Sequence, residues 1–135
     1  MGSRVHATIA IASDLDIVEA RMAARRLASE VGFRETDLVM IATAVSEVAR
    51  NILEYAGHGE VVLSFAHNGA RRGVEVIARD RGPGIANISR AMQEGFTTAR
   101  GLGLGLPGSR RLMDDFEIAS KVSMGTTVTM RKWLR

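Results

Sequence analysis

Apolar and polar residues alternate through VHATIAI, Val5 to Ile11, which predicts a strand with one face turned inward. The period then lengthens. Ile17, Ala20, Ala24, Leu27, Ala28 and Val31 fall on one side of a helix that opens at Ser13, with Asp16 three residues on as a variant capping box, and closes at Gly32. A second helix is predicted from about Thr36 to Tyr55, closed by Gly57, with Leu38, Ile41, Ala42, Val45, Val48, Ala49 and Ile52 as its buried stripe. Two strand-like runs follow, EVVLSFAH and GVEVIARD, joined at Asn68-Gly69 by a loop predicted to be longer than two residues. The stretch from Arg81 to Leu106 is loop-rich, with a short helix predicted near Ile88 to Gln93. Pro107 suits the first turn of a further helix running to about Met113, and FEIASK and TTVTMRKW read as a closing hairpin around Met124-Gly125.

Helices that follow strands out of strict βαβ rhythm, with two late hairpins, predict an α+β fold. It is a two-layer sandwich in which a mixed, mainly antiparallel sheet carries helices on one face. A length of 135 residues fits one domain, residues 1–135. Hydrophobic residues make up 46% of the chain, but no apolar run approaches the roughly 20 residues of a membrane helix, so no membrane partner is expected. The chain has no cysteine and no signal-peptide pattern, which leaves out disulfides and thiolate metal sites and makes the cytoplasm the expected compartment. The net charge of +3 changes the picture little. Basic residues are scattered among acidic ones, no basic run exceeds a pair, and few aromatics are present for stacking, so nucleic acid is not expected as a partner.

Three segments carry candidate chemistry. In SEVARNILEYA, Glu47 and Asn51 are four residues apart and stack on one flank of the second helix, outside its buried stripe, beside Met40, Ala44 and Tyr55. Two readings fit: the wall of a polar pocket, or a helix surface that faces water. In DRGPGI, Asp80 ends a strand, where a carboxylate can accept a hydrogen bond from an exocyclic amine while Gly82 and Gly84 let a flat ring approach the backbone. An ordinary glycine-proline turn fits the same residues. The run GLGLGLPG, Gly101 to Gly108, imitates a dinucleotide fingerprint but does not sit in an early strand-to-helix unit. It is not a P-loop, because no Gly-Lys-Ser/Thr follows. The only lysines are Lys121 and Lys132, both in the closing hairpin, so a protein-kinase strand lysine is missing too. Phosphates bound here would be met by backbone N–H groups, a helix N-terminus, a metal and Arg100.

Taken in order, Glu47-x-x-x-Asn51, Asp80-x-Gly82-x-Gly84, the glycines from Gly101 to Gly105, and Gly125-Thr126-Thr127 resemble the N, G1, G2 and G3 boxes of the GHKL (Bergerat) ATPase superfamily. The resemblance covers nearly the whole chain. Within that superfamily, AVSEVARNILEYAGHGEV, AMQEGFTTARGLGLGLPGSRRLMDDFEI and GTTVTMRKW are similar to the small bacterial anti-sigma-factor kinases, and especially to the serine/threonine switch kinases of the stressosome. One departure is Ser123, where those kinases usually carry glycine.

The resemblance implies ATP and Mg²⁺ as cofactors and a role for each matching position. Asp80 would accept the adenine amino hydrogen bond, with Thr127 supporting the ring and Gly82, Gly84 and Ile85 lining it. Asn51 would ligate Mg²⁺. A lid from Gly95 to Gly105, including Thr97, Thr98, Arg100, Gly101, Leu102, Gly103, Leu104 and Gly105, would fold over the triphosphate. Glu47 would take the proton from an incoming serine or threonine hydroxyl. His6, His58 and His67 would be ordinary strand or loop residues. The implied substrates are STAS-domain stressosome proteins, and the implied second partner is a PP2C-type phosphatase upstream of sigma-factor control. The alternatives are an anti-sigma factor that sequesters its sigma factor directly, and a non-catalytic interaction module.

Overall fold

The structure, a computed structural model, describes residues 1–84 and 105–135. In chain order the elements are β1 (Gly2–Ile11), α1 (Asp14–Val31), α2 (Glu35–Tyr55), β2 (Gly59–Asn68), β3 (Arg71–Arg79), α3 (Gly105–Leu112), β4 (Asp115–Lys121) and β5 (Gly125–Trp133). The helix predicted near Ile88 to Gln93 lies outside the described residues.

The five strands form one sheet in the order β1-β2-β3-β5-β4. A mixed sheet is expected from the sequence, but every pairing among the described residues is antiparallel. The chain leaves the end of β3, returns at the edge as β4, and folds back so that β5 inserts beside β3. This insertion brings the start of β5 against the end of β3, with Arg79 opposite Thr127.

Local chemistry accounts for the boundaries. At the start of α1 the Asp16 carboxylate accepts from the backbone N–H groups of Ala12 (2.8 Å) and Ser13 (3.1 Å), which supports the expected capping. Gly32 ends α1 in the left-handed region at φ 112°. The β2–β3 loop is shorter than expected: Asn68 pairs with Arg71, so only Gly69 and Ala70 lie between the strands. Gly69, at φ 62°, supplies the positive φ that a two-residue loop needs at its first position.

The helices cover one face. Ile9 and Ile11 of β1, Val61 and Leu63 of β2, Val74, Val76 and Ala78 of β3, and Val128 and Met130 of β5 point into the core that they share with α1 and α2. All six of the predicted inward residues of α1, and all seven of α2, are buried. The opposite face is polar at its centre, where Glu75 and Arg131 pair at 2.9 Å and Glu60 and Arg79 at 2.9 Å.

The departure at Ser123 acquires a physical meaning in the β4–β5 turn. Ser123 has φ 67° and is the one non-glycine residue with positive φ among the described residues. Its backbone N–H donates to the Pro83 carbonyl at 2.7 Å, so the turn is tied to the loop after β3. An L side chain in that conformation costs about 1–2 kcal/mol. Ser123→Gly removes this strain and keeps the backbone hydrogen bond. Scanning calorimetry should show a stabilisation of about 1 kcal/mol, or roughly 4 °C in Tm; a lower Tm would show that the serine side chain contributes more than its backbone costs.

Candidate active site

Asp80 directly follows β3, on the helix side of the sheet. Its Oδ1 accepts from the Gly82 N–H at 2.9 Å and from the Thr126 N–H at 3.3 Å, while its own N–H donates to the Thr126 carbonyl at 3.0 Å. One carboxylate oxygen is therefore fixed by two backbone donors from separate segments. Among the described residues Oδ2 has no hydrogen-bond donor, so it is the oxygen available to an exocyclic amine.

The glycines around Asp80 are explained by packing of the protein against itself. A Cβ on Gly82 would overlap Ala56 just beyond the end of α2, one on Gly84 would overlap the Lys121 carbonyl, and one on Gly125 would overlap the Asp80 carbonyl. Gly84 and Gly125 also have positive φ, at 78° and 106°. From sequence, room for a flat ring is the expected reason for Gly82 and Gly84, and the structure adds a second one, the close approach of Ala56 and of the Lys121 backbone. The same packing brings the two halves of the site together. Ile52 and the Asp80 Cβ both crowd Gly59, so Asp80 lies beside the residue that follows Asn51.

On α2 the structure separates the two readings of Glu47. Its side chain does not face water: the residue is 4% exposed, because α3 packs on that flank and the Gly105 backbone N–H donates to the carboxylate. Burial pushes the Glu47 carboxyl above its ordinary value, and the Arg50 guanidinium and the Gly105 N–H offset part of that rise. Asn51, one turn on, is half-buried. Ser109 of α3 lies against α2, with its hydroxyl 3.5 Å from the Ala44 carbonyl. The sequence places Gly105 in a lid, but in the structure it heads α3 and holds Glu47.

Thr127 lies at the same cavity as Asp80. Strand alternation puts Val128 and Met130 in the core, so Thr127 shares the opposite face with its register partner Arg79. There it lines a cavity of about 600 Å³ that Asp80 also lines, together with His58, Glu60, Arg79 and Arg81. Thr126 turns inward, only 6% exposed, and its hydroxyl lies 2.7 Å from that of Ser120. Counting in twos back from Val128 identifies it from sequence. Ile85, Thr97, Thr98, Arg100, Gly101, Leu102, Gly103 and Leu104 lie outside the described residues.

The donor set bears on a metal. No group of three or more His, Cys, Asp or Glu side chains suited to a metal ion occurs among the described residues. Oxygen donors do share the flank: the Asn51 amide, the Glu47 carboxylate, and a buried Glu54 Oε1 that has no hydrogen-bond partner among the described residues. Few protein ligands, all of them oxygen, fit Mg²⁺, which retains much of its water and takes the rest of its shell from substrate phosphates.

Among the described residues no helix is long and apolar enough to cross a membrane. Residues 11–132 match the family model of the histidine kinase-like ATPase domain. The chain is 45% identical over 127 residues to the serine/threonine-protein kinase RsbT of Bacillus subtilis (strain 168), covering 94% of this chain and 96% of that one. It is 35% identical over 103 residues to the anti-sigma F factors of Bacillus thuringiensis (strain Al Hakam) and Bacillus mycoides (strain KBAB4), covering 73% of this chain and 70% of each of those. With the N-, G1- and G3-box residues gathered at one end of an antiparallel sheet, this chain belongs to the histidine kinase-like ATPase family and, within it, to the RsbT group of serine/threonine-protein kinases.

Proposed function

We propose that the chain uses Mg-ATP to phosphorylate a serine or threonine of a STAS-domain stressosome protein, and then exchanges partners to activate a PP2C-type phosphatase in a sigma-factor pathway. The observation that carries the catalytic part is the burial of Glu47 on the same helix as Asn51, with Asp80 beside that helix.

The division of labour follows from the geometry. Asp80 Oδ2 receives the adenine amine while Oδ1 stays fixed by backbone. Thr127, which lines the same cavity as Asp80, supports the ring. Asn51 holds the metal through its amide oxygen. A Mg²⁺ held there would supply charge neutralisation for the phosphates. Glu47 accepts the acceptor hydroxyl's proton as that oxygen bonds to the γ-phosphorus and the bond to the ADP oxygen breaks. Positioning and charge neutralisation account for most of phosphoryl transfer, so a site with one base and one metal ligand suffices.

The test is incubation with Mg-ATP and STAS domains, followed by mass spectrometry. A phosphorylated serine or threonine on the STAS domain supports the reading, and its absence across the STAS set overturns it. Similarity to the anti-sigma F factors favours a second reading, direct sequestration of a sigma factor. Pull-downs against a sigma-factor domain and a phosphatase regulatory domain separate the two.

A pH dependence follows from the Glu47 carboxyl being held above its ordinary range. The base works only when ionised, so transfer is full above the raised value and falls as the pH drops through it. Single-turnover rates should decline at a higher pH than a solvent-exposed glutamate would give, and residual transfer by Glu47→Ala should lack that inflection. The sign for stability is opposite. A carboxyl with a raised folded-state value favours folding in acid and opposes it as the pH rises, so Glu47→Gln should raise Tm at pH 7 and do so less in acid.

A further inference from the structure

Glu47 stands between two different neighbours on α2. At about 100° per residue, Asn51 lies about 40° to one side of it and Arg50 about 60° to the other. On the proposed reading the Asn51 side holds the metal and the phosphate donor. Donor and acceptor oxygens stand roughly in line on opposite sides of the transferred phosphorus, so the acceptor belongs on the Arg50 side.

That side is shaped to receive something. Arg50 lines a cavity of about 390 Å³ with Asp14, Ile17, Val18 and Arg21 of α1. The Arg50 Nε is buried and has no hydrogen-bond partner among the described residues, an expensive state for a guanidinium that has five donors to satisfy. The lining itself holds two arginines and one carboxylate, with Glu47 facing Arg50 from outside it, and Ile17 and Val18 add an apolar wall that suits the stem of a peptide side chain. Because the planar fork of arginine matches a carboxylate in two-point contact, an acidic residue near the acceptor hydroxyl would pair with the Arg50 guanidinium and draw its Nε, now closed to solvent, toward the cavity.

We infer that the cavity between α1 and α2 receives the acceptor segment of the protein substrate, and that Arg50 there grips an acidic side chain close to the residue being phosphorylated. The inference rests on the kinase reading above and adds to it a specificity-determining residue and a substrate chemistry.

The experiment uses a STAS-domain acceptor and compares wild type with Arg50→Met, Arg50→Lys and Arg50→Glu. In Arg50→Met the KM for the acceptor should rise about tenfold or more, with ATP affinity by calorimetry within twofold of wild type, and Arg50→Lys should recover part of the loss. Reversing the charge of acidic residues flanking the phosphorylated position should weaken the acceptor with wild type and restore it with Arg50→Glu. If wild type transfers phosphate but Arg50→Met leaves KM unchanged, or lowers kcat alone, the acceptor-gripping role is wrong and the kinase reading survives. If wild type transfers none, both fall together.

Discussion

Asp80→Asn should remove measurable ATP binding and leave the fold standing. The two backbone N–H groups of Gly82 and Thr126 fix which atom of residue 80 points where, because both need an acceptor at the Oδ1 position. Asparagine meets that need by turning its carbonyl oxygen toward them, which places its NH₂ where Oδ2 stood. A donor then faces the adenine amine, itself a donor. A buried mismatch of that kind costs about 1–3 kcal/mol from the unmet group, in addition to the lost charge-assisted bond. Calorimetric titration with Mg-ATP should show affinity reduced by about 100-fold or more. The Tm without nucleotide should stay close to wild type, because both backbone bonds persist. Unchanged affinity would mean that Asp80 does not read the base.

Glu47→Ala separates binding from chemistry. The carboxylate lies away from Asp80 along α2, held by Gly105 and influenced by Arg50, so its removal leaves the purine end untouched. ATP affinity should remain within about threefold, while the single-turnover rate of transfer falls by about 10² to 10⁴, the usual contribution of a positioned base. Radiolabel transfer to a STAS acceptor in excess Mg-ATP measures it. Near-normal turnover would reassign the base, and a parallel loss of ATP affinity would move Glu47 into the binding site.

Much of this arrangement is legible in the chain because the signals are local. The α2 stripe from Leu38 to Ile52 is written in a 3.6-residue period, and the strand positions of β3 and β5 in a period of two. Boundaries marked by Ser13, Gly32 and Tyr55 follow from caps and breakers. What is not local is harder to read. Whether Glu47 meets water depends on α3, whose first residue is 58 positions further along the chain, and no pattern within α2 reports that packing. The alternation that buries Val128 and Met130 also turns Thr126 inward and leaves Thr127 to line the cavity at Asp80. The unmet donor of Arg50 likewise needs three dimensions to be noticed.

Gly82, Gly84 and Gly125 each let a distant stretch of main chain close against another. A mutational screen scored only by catalytic output would therefore mix loss of this closure with loss of nucleotide contact. Scoring the same library for soluble yield would separate the two, since a residue that loses activity at normal yield marks a ligand contact.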